Sequence, residues 1–130
     1  MDLKLSGKRA LVTGSSAGLG EAIVKLLAAE GVAVVVHGRD ADRTHAVAKA
    51  IHTAGGRADI ALGDLATDAG ADAVTVAALA GGPIDILVNN AGVYHHLTGR
   101  EAADGDRAAI RLGRHMGADR SGRRARHDSQ

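Results

Sequence analysis

Short apolar runs alternate with longer helical segments through the first two thirds of this 130-residue chain. The runs RALVTG, VAVVVHG, ADIALGD and IDILVNN have strand character, and alanine- and leucine-rich segments lie between them. Strands that alternate with helices pair in parallel through crossover helices, and they are apolar because helices cover both faces of the sheet. The pattern therefore predicts an α/β protein with a doubly wound parallel sheet of about four strands.

The connections between these strands predict their order in the sheet. Crossovers are right-handed almost without exception, so the simplest order is 3-2-1-4, with the topological switch between strands 1 and 4. Ligands of such sheets bind at the carboxyl ends of the strands beside the switch. The segments there are TGSSAGLG, residues 13–20, called the glycine turn below, and NNAG, residues 89–92. The segment after the glycine turn is expected to be a helix that stops at Gly31, because its apolar residues recur at close to helical spacing, at Leu19, Ile23, Leu26 and Leu27.

Composition limits the kind of core and the kinds of site. Tyr94 is the only aromatic residue, so the core is expected to consist of Ala, Val, Leu and Ile. The absence of Cys excludes disulfides and thiolate metal sites, and it fits a reducing compartment. No segment has the length and hydropathy of a signal peptide or a bilayer span. We therefore expect a cytoplasmic protein with no membrane association.

The chain changes character after Tyr94. Residues 1–94 carry 8 basic and 10 acidic side chains, whereas residues 95–130 carry 8 basic and 5 acidic side chains. Residues 95–130 also contain no Lys and no Val. We expect residues 1–94 to form one folded domain. Residues 95–130, called the tail below, are expected to be an irregular, poorly ordered basic segment, or one translated out of frame. Nucleic-acid binding by the tail is disfavoured because neither aromatic residues nor a known binding module accompany its arginines.

The glycine turn is suited to a diphosphate. Gly14, Gly18 and Gly20 stand at the junction of strand 1 and helix 1, where glycine allows close approach to the backbone and the helix N-terminus attracts negative charge. The absence of a Gly-Lys-Ser or Gly-Lys-Thr sequence argues against a nucleoside triphosphatase.

The spacing Gly-x-x-x-Gly-x-Gly after Thr13, together with NNAG, resembles the short-chain dehydrogenase/reductase family over residues 6–94. The resemblance implies a Rossmann-like fold, with residues 1–94 as a partial NAD(P)-binding domain. It implies hydride transfer between a nicotinamide dinucleotide and a carbonyl or alcohol. It also implies that Thr13 and Asn89 brace the turn against strand 4. The cofactor-binding residues that it implies are Gly14, Ser16, Gly18, Leu19 and Gly20 for the diphosphate, Asp64 and Leu65 for the adenine, and Asn90, Ala91 and Gly92 for the nicotinamide ribose.

The end of strand 2 bears on the choice between NAD and NADP. An acid there accepts a hydrogen bond from the ribose 2′-hydroxyl of NAD, whereas an Arg donates hydrogen bonds to the 2′-phosphate of NADP. Gly38 stands at the position of the acid and Arg39 follows it, which favours NADP(H) over NAD(H). Arg43, one helical turn further on, is a second candidate phosphate contact. The alternative is that Arg39 is a solvated charge and Asp40 binds the ribose.

The family's catalytic Tyr-x-x-x-Lys is missing from this chain. Tyr94 is followed by HHLTG, and no Lys follows Lys49. We therefore expect no catalytic residues and no activity of the chain alone, and His95 and His96 are interpreted as loop residues without a metal. The alternatives are a nucleotide-binding module without catalysis and a basic nucleic-acid-associated protein. An oligomer or a partner chain is expected to cover the apolar edge at strand 4.

Overall fold

The computed structural model describes residues 4–90. Within them, four strands form one parallel sheet in the order β3-β2-β1-β4, with a helix in each of the three connections. The predicted fold class and strand order are therefore confirmed. The elements are β1 (Arg9–Val12), α1 (Gly18–Ala29), β2 (Ala33–Gly38), α2 (Ala41–Thr53), β3 (Arg57–Leu62), α3 (Asp68–Leu79) and β4 (Ile86–Val88).

The sheet has a helical layer on each face. Leu11 of β1 pairs with Val35 of β2 and Leu87 of β4, and the alternation of side chains along each strand divides the apolar residues between the faces. Val12 and Val36 pack with α1 and α2, whereas Leu11 and Val35 pack with α3. Both cores consist of aliphatic residues, as the near absence of aromatic residues requires.

The predicted helix α1 is present, but its buried side is not the one that carries most of its leucines. The helix buries Gly20, Val24 and Ala28, whereas Leu26 is 65% exposed and Leu19 is also exposed. A helix turns about 100° per residue, so Leu26 lies almost opposite a stripe of residues spaced four apart. The small residues Gly20 and Ala28 on the buried stripe let this helix lie close to the sheet.

Arg9 closes the amino edge of the sheet, opposite the predicted site. Its guanidinium donates from Nη1 to the carbonyl oxygens of Ala78 and Gly82, at 2.6 and 2.8 Å, and its Nη2 pairs with Asp59 at 2.7 Å. The last carbonyls of a helix lack partners within the helix, so this half-buried cation supplies hydrogen bonds at the carboxyl end of α3.

No helix within residues 4–90 has the length and hydropathy needed to cross a bilayer. The predicted boundary after Tyr94, the tail, and the candidate site residues Ala91 and Gly92 lie outside the described residues.

Candidate functional site

The glycine turn folds tightly against the end of β2. Gly14 and Gly18 have φ values of 64° and 58°, in the left-handed region that glycine enters without strain. The Ser15 hydroxyl donates to the carbonyl oxygen of Val12 at 2.7 Å and accepts the His37 N–H at 2.9 Å. The Ser15 N–H donates to the carbonyl oxygen of His37 at 2.9 Å. Three hydrogen bonds thus hold the turn before α1 begins.

The amino end of α1 is the one helix start within residues 4–90 that lacks a side-chain cap. Its N-cap residue, Ala17, has no side-chain acceptor. By contrast, Asp40 caps α2 by accepting the Arg43 N–H at 3.0 Å, and the Thr67 hydroxyl caps α3 by accepting the Gly70 N–H at 3.0 Å. The first N–H groups of a helix need acceptors, and they carry its positive dipole end. The start of α1 is therefore suited to an anionic ligand.

Residues at the end of β4 brace the glycine turn. The Thr13 hydroxyl donates to Asn89 Oδ1 at 3.3 Å, which is the bracing that the family resemblance implies. Asn90 is 2% exposed, and its Nδ2 donates to the Gly14 carbonyl oxygen at 3.1 Å. A Cβ at Gly20 would lie 2.5 Å from Asn90 Nδ2 and closer still to that carbonyl oxygen. Gly20 is therefore needed where α1 meets this junction.

The end of β2 has no room for a side chain at Gly38. A Cβ there would lie 2.6 Å from the Ser16 hydroxyl oxygen and would also collide with the Thr44 hydroxyl. Thr44 is buried and donates to the Asp40 carbonyl oxygen at 2.7 Å. Asp40 Oδ1 accepts a hydrogen bond in capping α2. Gly38 therefore presents no acid, and the acid at Asp40 is engaged through one oxygen at the start of α2.

Two arginines follow the end of β2. Arg39 and Arg43 are both exposed. Arg43 lines an open groove between α1 and α2, together with Ser16, Lys25 and Glu21. Because Lys25 pairs with Glu21 at 2.6 Å, Arg43 is the cation in this groove that has no acidic partner among its lining residues.

The loop after β3 reaches the same edge of the sheet. The Gly63 N–H donates to the Gly38 carbonyl oxygen at 3.3 Å. Asp64 is exposed, and its Oδ1 accepts the Ala66 N–H at 2.9 Å, which shapes the loop. Leu65 is half-buried and packs on the α3 side of the core. Asp64 and Leu65 thus stand beside the end of β2, at the carboxyl edge.

His37 joins all three segments, and sequence reasoning assigned it no role. The imidazole is 4% exposed; its Nδ1 accepts the Gly14 N–H at 2.8 Å, and its Nε2 lies 2.8 Å from the Gly63 carbonyl oxygen. These partners assign the neutral tautomer with hydrogen on Nε2, which donates to Gly63. Burial lowers the pKa of His37, and nearby Arg39 lowers it further, while the Gly63 hydrogen bond and Asp64 oppose the shift. The sequence offered one signal for this role, because His37 is an ionisable residue that follows the apolar run of β2.

The carboxyl edge therefore gathers most of the predicted cofactor residues. Their roles toward a cofactor remain predictions. Within residues 4–90, no group of three or more His, Cys, Asp or Glu side chains is arranged to hold a metal ion. The candidate residues that meet at this edge are Gly14, Ser16, Gly18, Leu19, Gly20, Arg39, Asp64, Leu65 and Asn90.

Comparison with protein families finds a match to the short chain dehydrogenase model over residues 8–111, which continues past Tyr94. A gluconate 5-dehydrogenase from Gluconobacter oxydans (strain 621H) is 43% identical over 90 residues, covering 68% of this chain and 35% of that protein. An uncharacterized oxidoreductase from Methylorubrum extorquens is 45% identical over 93 residues, covering 70% of this chain and 38% of that protein. The chain thus spans little more than a third of the length of these relatives.

Solved structures resemble the fold at similar identity. L-sorbose reductase from Gluconobacter frateurii, complexed with NADPH and L-sorbose, aligns with a TM-score of 0.76 and 41% identity, covering 88% of this chain and 48% of that one. A gluconate 5-dehydrogenase from Burkholderia cenocepacia J2315, in complex with NADP and tartrate, aligns with a TM-score of 0.72 and 34% identity, covering 88% of this chain and 51% of that one.

Proposed function

Because this chain belongs to the short-chain dehydrogenase family, we propose that its carboxyl sheet edge binds NADP(H) as the dinucleotide-binding part of an oxidoreductase. The observation that carries the proposal is the uncapped start of α1 beside the glycine turn. The N–H groups of Gly14 and Ser15 are used within the protein, by His37. The diphosphate is therefore assigned to the N–H groups that follow, around Ser16, Gly18 and Leu19.

The preference for NADP(H) is supported by the groups at the end of β2. NAD selection uses an acid that binds the ribose 2′-hydroxyl. Gly38 has no space for one, and the Asp40 carboxylate already accepts a hydrogen bond at the start of α2. Arg39 and Arg43 are exposed nearby, and a guanidinium is a strong partner for a phosphate. We assign the 2′-phosphate to Arg39, with Arg43 as a second contact.

The proposed reaction is hydride transfer between NADP(H) and a carbonyl or alcohol substrate. The nicotinamide supplies or accepts the hydride when it is bound. Asn90, Ala91 and Gly92 are proposed to line its ribose, and Asp64 and Leu65 the adenine. Such chemistry also needs a group that moves a proton to or from the substrate oxygen. The chain has no Tyr-x-x-x-Lys, so binding without turnover is proposed for these 130 residues alone.

The proposal extends to the organisation of the chain. Residues 1–94 are proposed as the dinucleotide-binding domain and residues 95–130 as a separate, irregular basic segment. The strand β4 is the outer strand of the described sheet on one side, and its three residues are half-buried. An oligomer or a partner chain is proposed to cover that strand, and sedimentation of the purified chain over a concentration series would test this.

Calorimetric titration with NADPH, NADH and a random oligonucleotide tests the binding proposal. We expect NADPH to bind more tightly than NADH and the oligonucleotide not to bind. Arg39→Ala should reduce the NADPH preference, whereas Arg57→Ala, an exposed arginine at the start of β3, should leave it unchanged. Equal or tighter NADH binding would contradict the NADP assignment, and oligonucleotide binding alone would favour the nucleic-acid alternative. Oxidation of NADPH with a carbonyl substrate would overturn the proposed lack of turnover.

A further inference from the structure

We propose that His37 is a positioning residue of this site, and that its neutral imidazole holds the glycine turn and the loop after β3 in the geometry that binds the dinucleotide. This inference rests on the proposed function. The carrying observation is the pair of hydrogen bonds on one buried ring, from the Gly14 N–H to Nδ1 and from Nε2 to the Gly63 carbonyl oxygen, each 2.8 Å long. One side chain thus links the segment assigned to the diphosphate with the segment assigned to the adenine.

The two hydrogen bonds require one protonation state. Nδ1 accepts the Gly14 N–H only while it carries no proton, and Nε2 donates only while it carries one. A proton added at Nδ1 would face the Gly14 N–H, so the ring would lose this hydrogen bond. Gly14 holds a left-handed conformation at the beginning of the glycine turn, which leads to the start of α1. Loss of its hydrogen bond to His37 would therefore alter the position of the glycine turn.

The groups around His37 determine how nucleotide binding should depend on pH. Burial disfavours the imidazolium, and Arg39 at the end of β2 repels it, while Asp64 in the loop after β3 attracts it. The glycine turn contributes no ionisable side chain. In the protein without nucleotide, the pKa of His37 therefore lies below its ordinary value of 6.5. Nucleotide binding should weaken as the pH falls through this lowered pKa, where the protonated ring begins to compete.

Two substitutions separate the two hydrogen bonds. In His37→Asn, the amide oxygen occupies the position of Nδ1 and can still accept the Gly14 N–H. In His37→Gln, the amide nitrogen occupies the position of Nε2 and can still donate to Gly63. Neither side chain titrates. His52→Gln is a matched control, because His52 Nε2 contacts the Ala58 carbonyl oxygen at 2.9 Å, at the amino end of β3.

NADPH affinity is measured by calorimetry for the full chain and the three variants at pH 8.0 and pH 5.5, with circular dichroism confirming that each variant is folded. The 2′-phosphate itself titrates near pH 6, so the decisive quantity is the pH effect relative to His37→Asn. We expect the wild-type chain and His52→Gln to lose more affinity at pH 5.5 than His37→Asn does, by at most about tenfold, the limit that an ordinary histidine pKa of about 6.5 sets. At pH 8.0, His37→Asn should stay within about threefold of wild type, while His37→Gln should bind about tenfold more weakly.

The outcomes distinguish this inference from the proposed function. No NADPH binding by the wild-type chain at pH 8.0 would overturn both. Binding with the same pH effect in wild type and His37→Asn would overturn the role of His37 alone. Tighter wild-type binding at low pH, relative to His37→Asn, would also overturn it, because the imidazolium would then attract the ligand. Equal affinities of His37→Gln and His37→Asn at pH 8.0 would contradict the importance of the Gly14 hydrogen bond.

Discussion

The substitution Gly20→Ala tests the packing at the start of α1 by the sign of its effect. Gly20 lies inside a helix, where replacing glycine by alanine ordinarily stabilises a protein by about 1 kcal/mol. The structure predicts the opposite. The new Cβ would lie 2.5 Å from Asn90 Nδ2 and would collide with the Gly14 carbonyl oxygen. Because that oxygen belongs to backbone, the strain cannot be relieved by a side-chain rotation alone.

The magnitude follows from three effects. Overpacking of a buried site costs about 1–3 kcal/mol. Separation of Asn90 from Gly14 removes a 3.1 Å hydrogen bond, which is worth about 1 kcal/mol. The helix propensity of alanine returns about 1 kcal/mol. Gly20→Ala is therefore expected to lower the free energy of unfolding by about 1–3 kcal/mol. In a folded unit of this size each kcal/mol lowers the melting midpoint by about 4–8 °C.

Urea unfolding followed by far-ultraviolet circular dichroism measures the effect, since the chain has no Trp for fluorescence. The matched control is Ala22→Gly, at an exposed position of the same helix, which should cost about 1 kcal/mol through propensity alone. A Gly20→Ala protein as stable as wild type, or more stable, would refute the close-packing argument. NADPH affinity should fall as well, because the strained contact lies beside the first turn of α1.

Four further predictions concern other parts of the chain. Because the pKa of His37 is lowered in the folded chain, the unfolded state binds more protons once the pH falls below about 6.5. The contribution of neutral His37 to stability is therefore complete above that pH and declines as the pH falls. The urea midpoint should drop more in wild type than in His37→Asn. Asp40→Ala removes the cap of α2 and should cost about 1 kcal/mol in urea unfolding; a smaller loss than in Asp42→Ala would contradict this. Arg9→Met removes the hydrogen bonds at the end of α3 and should cost about 2 kcal/mol, measured by the same unfolding; an unchanged midpoint would show that water replaces them. If the tail is out of frame, another reading frame of its coding DNA should encode a Tyr-x-x-x-Lys segment, and its absence from both other frames ends that hypothesis.

The fold was predictable because its signals are periodic and local. Four apolar runs separated by helical segments determine a parallel sheet, and the right-handed crossover rule then leaves 3-2-1-4 as the simplest order. The helix starts carried signals of their own. Asp40 and Thr67 stand at N-cap positions, where side-chain oxygens are favoured.

The contacts inside the site were less predictable because they depend on distances between backbones. Apolar residues at helical spacing predicted α1 itself, but they did not indicate that the stripe through Gly20, Val24 and Ala28 faces the sheet. The hydrogen bonds of Asn90 and His37 to Gly14 join residues 76 and 23 positions apart in the chain. Such pairings need the sheet order and the strand register before they can be inferred.

The glycines at the carboxyl edge show why motif spacing alone does not assign roles to residues. Gly20 and Gly38 both stand in segments that resemble cofactor contacts, yet each directs its missing side chain into the protein, towards Asn90 and Ser16 respectively. Their absent Cβ atoms let helix, turn and strand end approach one another. Gly14 and Gly18 allow the chain to turn between β1 and α1, because both have positive φ values. The proposed nucleotide site therefore depends on these glycines largely through packing and turn geometry, and substitutions at them should reduce stability and nucleotide affinity together.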